Sequence, residues 1–183
     1  IWKAKELEKE ICDRLNVYHA QLVSSGTAAL TTALAVLGVG AGDEVIMPSF
    51  TFVASFEAVL SVGASPVLVD IDETLTMNPD AVRAAIGPAT KCIMPVHMCG
   101  AMADMDALRA ICDQHSILLL EDACQSLGAK YKGKYLGTIG DAGAYSFDFV
   151  KTVTCGEGGV VVTNDAQTYT ALDAYSDHGH DHK

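Results

Sequence analysis

The sequence is short of positive charge: 12 Lys and Arg stand against 23 Asp and Glu in 183 residues, a net charge of −11. Such a chain repels a phosphate backbone, which argues against nucleic acid as a partner. Paired cysteines are lacking too. The six, Cys12, Cys92, Cys99, Cys112, Cys124 and Cys155, are scattered with no C-x-x-C. No zinc-type pair of pairs exists, and a reducing, cytoplasmic compartment is the simpler expectation. No secretory leader is expected, because IWKAKELEKE alternates charged with apolar positions instead of running from a basic region into an apolar one. The one stretch that could mimic a membrane span, residues 17–42, carries no Asp, Glu, Lys or Arg. Its internal SSGT and closing GVGAGD break it into strand, loop and helix, so no membrane association is expected. Internal repeats and low-complexity linkers are absent as well.

What the sequence does have is apolar mass. Half its residues are hydrophobic and 19% are charged, with a mean hydropathy of +0.25, enough for the core of one large domain. A first residue other than Met and an end at DHGHDHK predict a piece of something longer. Leu7, Ile11 and Leu15 recur four apart, a helical spacing over residues 3–15. QLVS (21–24), EVIMP (44–48), PVLVD (66–70), KCIMPV (91–96), ILLLED (117–122), GAYSF (143–147) and GVVVT (159–163) read as strands. Helices are expected at 27–38, near 52–62, at 78–86 with Asn78 and Pro79 opening it, after an Asp104 cap, and near 165–176. Strands that are apolar along their whole length and separated by helices predict an α/β domain with a mostly parallel sheet covered on both faces. Strand order does not follow from this pattern.

In such sheets ligands bind at the carboxyl ends of the strands, and four places there carry candidate chemistry. Ser24-Ser25-Gly26-Thr27 joins a strand to a helix. It would offer the Gly26, Thr27 and Ala28 amides and the Thr27 hydroxyl to a phosphate at the positive end of the helix, or Ser25 or Thr27 would simply cap that helix. Asp122, at the end of the most apolar strand, needs a donor or cation, and a protonated heterocycle nitrogen would serve as well as a helix cap or an arginine. Lys151 follows Phe147, Phe149 and Val150 and precedes a glycine-rich turn. Apolar neighbours would make its amine a nucleophile toward carbonyls, although most lysines are solvated surface groups. Phe52, leaving EVIMP, could stack on a flat ring or belong to the core. A phosphate cradle, a carboxylate for a ring nitrogen, a stacking aromatic and a partly buried lysine are together the parts of a pyridoxal phosphate (PLP) site.

On SSGTAAL (24–30), PSFTFVAS (48–55), ADMDAL (103–108), EDACQSLGA (121–129), GDAGAYSF (140–147) and KTVTCGEGG (151–159), the sequence resembles the DegT/DnrJ/EryC1/StrS sugar aminotransferases, a branch of the fold-type I PLP enzymes. The resemblance spans nearly the whole chain and implies a mixed seven-stranded sheet of the aspartate-aminotransferase type. It implies that Lys151 carries the cofactor and shuttles a proton, that Asp122 pairs with the ring nitrogen, and that Gln125 approaches the ring 3-oxygen. It further implies that Phe52 stacks on the ring, and that Gly26, Thr27, Ala28 and Ser146 hold the phosphate. An amino acid donor, commonly glutamate, a nucleotide-linked keto sugar as acceptor, and a homodimer are the implied partners. Lysine at 151, where dehydrating relatives place histidine, favours amino transfer. The alternatives are a PLP-dependent aminotransferase or dehydratase acting on another cyclic ketone or sugar, and a non-catalytic PLP-binding fragment. Cys99 stands where the family often has Tyr, and Asp148-Phe149-Val150 is an uncommon filling; both bear on substrate fit. Members are roughly twice this length, so residues 1–183 are expected to be the large domain without the C-terminal small domain.

Three further features are expected to be bland. His178, His180 and His182 read as a solvated run rather than a metal tract. Gly38, Gly40 and Gly42 follow a helix and precede a strand, the reverse of a dinucleotide loop. Asp70, Asp72 and Glu73 read as a solvated acidic loop.

Overall fold

A computed structural model describes residues 2–180. In chain order the elements are α1 (Lys3–Leu15), β1 (His19–Val23), α2 (Gly26–Val36), β2 (Glu44–Pro48), α3 (Val53–Ser61), β3 (Ser65–Val69), α4 (Pro79–Ala85), β4 (Thr90–Ile93), α5 (Met105–His115), β5 (Leu118–Asp122), β6 (Lys130–Tyr131), β7 (Lys134–Tyr135), β8 (Ala142–Ser146), β9 (Gly159–Thr163) and α6 (Ala166–Ser176). Seven strands form one sheet in the order β1-β9-β8-β5-β4-β2-β3. The run from β8 to β3 is parallel, whereas β9 lies antiparallel to both β8 and β1. Thus β1, β5 and β8 all end on one edge of the sheet, the edge on which β9 begins.

The apolar strands are buried on both faces, as their composition requires. On one face α2 lays Ala29, Leu30, Ala33 and Leu34 against Val45, Met47, Leu120 and Ala144. On the other, Met105, Leu108 and Ile111 of α5 meet Ile46, Ile93 and Leu119. Period-two alternation sends Leu119 and Leu120 to opposite layers, and burying each of these side chains fully is worth about 1.5–3 kcal/mol. Side-chain caps start the helices where the sequence predicts. Asn78 accepts from the Asp80 and Ala81 amides, Asp104 from Ala107, and Asp165 from Thr168.

Most expected bounds shift by a residue or two, among them β3, β5, β8 and α2, and three differences have a physical reason. β1 begins at His19, because pairing with β9 extends to His19 opposite Thr163. β4 stops at Ile93, and Pro95, which has no amide hydrogen, follows in a looser stretch. The β6–β7 hairpin was not foreseen. Its two-residue turn holds Lys132 and Gly133 both at positive φ (48° and 86°), the conformation a tight hairpin needs, but its strands are too short to show a period. Among the described residues no helix is long and apolar enough to cross a membrane, and no group of three or more His, Cys, Asp or Glu converges on a point. His182 lies outside the described residues.

Candidate active site

A cleft of about 590 Å³ opens at the carboxyl edge, lined among others by Gly26, Thr27, Phe52, Asp122, Gln125, Ser146 and Lys151. Segments separated by more than a hundred residues meet there because β1, β5 and β8 end together.

At one end of the cleft, α2 begins against β8. Ser25 Oγ accepts from the Ala28 amide at 3.0 Å, so Ser25 caps the helix. The Ala28 amide, expected in the phosphate cradle, donates to that cap. Among the described residues no group accepts from the Gly26 or Thr27 amides, which leaves two donors at the positive end of α2. The backbone is pressed tightly here. A Cβ on Gly26 would lie 2.7 Å from Ser146 Cβ and 3.0 Å from Cys124 Sγ, and one on Gly159 would lie 2.2 Å from the Ser25 carbonyl oxygen. Only glycine lets α2 start so close to β8 and lets β9 begin so close to the Ser25 turn. Ser146 is buried, and its Oγ accepts from the Asp148 amide at a long 3.3 Å.

On the cleft floor, Asp122 is 5% exposed. Its Oδ2 accepts from Ser55 Oγ at 2.6 Å and its Oδ1 from the Cys124 amide at 3.1 Å. Because Ser55 gives its one proton to Asp122, the 2.7 Å contact between Thr51 and Ser55 has Thr51 as donor. No cation of the described residues pairs with Asp122, so the arginine alternative is not what the fold provides. Burial, and then the Asp122 charge, push the neighbouring Cys124 thiol well above its ordinary range, with Lys151 acting in the opposite sense. Gln125 accepts from the Cys99 amide at 2.9 Å through Oε1. That bond fixes which end of the amide is which and leaves Nε2 as a free donor.

Lys151 is half-buried, with Nζ 5.7 Å from the centroid of the Phe52 ring. Phe52 sits just ahead of α3, 55% exposed and outside the core. The expected source of Lys151's apolar surroundings needs correction. Phe147 is buried at 6% exposure, but Phe149 and Val150 are 71% and 69% exposed. The chain leaves the sheet after Ser146, and Asp148 Oδ1 turns it by accepting from the Val150 amide, so strand alternation ends there.

Three residues that touch this arrangement were not singled out from the sequence: Ser55, Glu121 and His97. Ser55 is three positions after Phe52 and so on the same side of the first turn of α3, a signal that could have found it. Glu121 is fully buried, and its four donors come from distant loops; nothing local marks it.

The fold and cleft define a mixed-sheet α/β domain with two unpaired amides at a helix start, a buried carboxylate and a lysine at the carboxyl edge of its strands. The family model of the DegT/DnrJ/EryC1/StrS aminotransferases matches residues 2–183. The chain is similar to the solved DesV of S. venezuelae (41% identity, TM-score 0.96, covering 100% of this chain and 50% of that one). It is also similar to 3-amino-5-hydroxybenzoic acid synthase (44%, 0.90, 93% and 45%) and to DesI solved in the presence of its TDP-sugar product (37%, 0.93, 98% and 45%). The chain belongs to the DegT/DnrJ/EryC1/StrS aminotransferase family, whose enzymes depend on PLP. It spans about half the length of the solved relatives it matches.

Proposed function

We propose that the protein containing this chain is a PLP-dependent aminotransferase that moves an amino group from an amino acid donor, glutamate by expectation, to a nucleotide-linked keto sugar, as a cytoplasmic homodimer. The observation that carries the reading is the meeting of the Gly26–Thr27 cradle, Asp122 and Lys151 in one cleft.

The residues present fit the cofactor. The free Gly26 and Thr27 amides and Ser146 Oγ match a phosphate at a helix N-terminus, and a Cβ on Gly26 would lie 3.0 Å from Ser146 Oγ, one of those groups. Asp122, held from two sides, offers its remaining lone pairs to a ring N–H. Phe52 would flank the ring, and Gln125 Nε2 would donate to the 3-oxygen. When bound, PLP supplies an electron sink that stabilises charge beside the reacting carbon. Lys151 Nζ would supply the amine that holds the cofactor and would serve as the proton carrier at the substrate carbon. The nucleotide-sugar acceptor is supported by the likeness to DesI, and a non-nucleotide cyclic ketone by the likeness to 3-amino-5-hydroxybenzoic acid synthase.

The test is a visible spectrum with added PLP, borohydride reduction and peptide mapping, then assays of candidate ketones with glutamate or glutamine. A reduced adduct on Lys151, lost in Lys151→Ala, and amino transfer to a nucleotide-linked ketone support the reading. An adduct with no transfer from any donor points to a non-catalytic cofactor-binding protein. Transfer confined to a free cyclic ketone moves the substrate class. Turnover retained by Lys151→Ala refutes the role of that residue.

A further inference from the structure

Glu121 and Asp122 leave β5 toward opposite layers, and Glu121 carries no part of the chemistry above. It is fully buried. Its Oε1 accepts from the Ile139 and Gly140 amides at 2.6 and 2.7 Å, and its Oε2 from the Gly137 amide at 2.7 Å. Three backbone amides already compensate much of the desolvation of a carboxylate. A fourth contact, His97 Nε2 at 3.1 Å from Oε2, ties this hub to another loop.

His97 is also fully buried. Its Nδ1 accepts from the Ala103 amide at 3.4 Å. That assigns the ring proton to Nε2, where it donates to Glu121. The His97 amide donates to the Asp122 carbonyl (3.0 Å), and the Asp122 amide to the Pro95 carbonyl (2.9 Å). His97 therefore grips β5 through its main chain and its side chain at once. Between His97 and Ala103 the chain makes a short 3-10 turn in which Cys99 takes φ 54°, a conformation that disfavours a residue with a Cβ. The Cys99 amide, aimed by that turn, is the group that holds Gln125 Oε1.

We propose that His97 and Glu121 are positioning residues of the cleft: the Glu121 carboxylate anchors His97, His97 holds the 97–103 turn in its strained form, and the Cys99 amide then fixes Gln125 with its Nε2 donor free. The inference rests on the PLP reading for its consequence, but the link from Glu121 to Gln125 is a property of the chain alone. Outer-layer partners that orient a ligating group are commonly worth about 10- to 100-fold in affinity or activity. A hub of backbone amides alone would not need an imidazole with one proton in one place.

The test uses the full-length protein with and without PLP. In the wild type without cofactor, hydrogen exchange of the Cys99, Ala103 and Gly140 amides is expected to follow one common opening event. His97→Leu is expected to speed exchange at Cys99 severalfold, weaken PLP binding about tenfold and shift the pH titration of the visible band of bound PLP, with the borohydride adduct still on Lys151. His97→Gln, which keeps a donor at the reach of Nε2, is expected to restore most of each. Two results overturn the proposal: rapid Cys99 exchange beside a protected Gly140 in the wild type, or wild-type PLP affinity and band titration in folded His97→Leu. The wild-type measurement decides the matter if His97→Leu does not fold. If PLP fails to attach to Lys151 at all, the functional reading falls, while the exchange data still judge the link from Glu121 to Cys99.

Discussion

Glu121 and Asp122 are consecutive, equally deep and equally costly to bury, at 0% and 5% exposure, yet the fold treats them oppositely. Glu121 faces the α5 layer and meets four donors, one for each of the roughly four lone-pair sites of a carboxylate. Asp122 faces the α2–α3 layer, meets two, and keeps the rest open to a cleft. A carboxylate with every lone pair occupied can only hold structure together. One with lone pairs to spare, held in a fixed orientation at a cleft, can bind a proton donor that arrives later. The difference lies in the neighbours that each layer supplies.

Exchanging the fates of the two carboxylates gives the largest expected effects. Glu121→Ala leaves three buried amides and an imidazole proton without an acceptor, a loss on the order of 4 kcal/mol, against a typical domain stability of about 5–15 kcal/mol. A urea melt reads it. Asp122→Ala strands only Ser55 and the Cys124 amide beside a cleft that water can enter. Stability is expected to fall by about 1 kcal/mol, while amino transfer falls by about 100-fold or more in a kcat measurement. Equal stability losses in the two variants would erase the distinction.

Gly26→Ala comes next. The new methyl must displace Ser146 or Cys124, and overpacking of this kind costs about 1–3 kcal/mol. A PLP titration is expected to show weaker binding, because the methyl displaces Ser146, whose Oγ lies 3.0 Å from it.

Alkaline titration gives each layer its own reporter. Burial, then Glu121, push the Tyr145 hydroxyl upward, and burial, then Asp122, push the Cys124 thiol upward. Burial also raises Cys92, and raises Cys112 to about 12. These acids keep their protons in the folded state at pH values where the unfolded chain has lost them. Stability is therefore unaffected below the ordinary thiol range and falls as pH rises from there toward the folded values, by up to about 1.4 kcal/mol per pH unit for each group. Melts at a series of pH values check the slope. Asp122→Asn removes one of the influences holding the Cys124 proton, so alkylation of Cys124 at fixed alkaline pH is expected to quicken. Ser25→Ala, which removes only the α2 cap, is the smallest change, about 1 kcal/mol in a thermal melt.

Much of this was legible in the chain. EVIMP and GVVVT coincide with β2 and β9 residue for residue, because strands buried on both faces are written as uninterrupted apolar runs. Asn78 and Asp104 marked helix starts through contacts that span only a few residues. The 130–135 hairpin was not legible, and neither was the outward turn of Phe149 and Val150. The first has too few residues for a period, and the second depends on where the sheet ends. The commitment of the Ala28 amide to Ser25 was written beside the alternative that it serves a ligand, and only the folded geometry chose.

By itself, the sequence determined the class of the fold and the identity of the groups in the cleft, because strand apolarity, caps and side-chain chemistry are local properties. Tertiary structure decided that β9 runs against its neighbours, that β1, β5 and β8 end on one edge, and that Glu121 is sealed while Asp122 is open. Those outcomes come from hydrogen bonds and packing between segments far apart in the chain, whose energies depend on which elements meet and in what register.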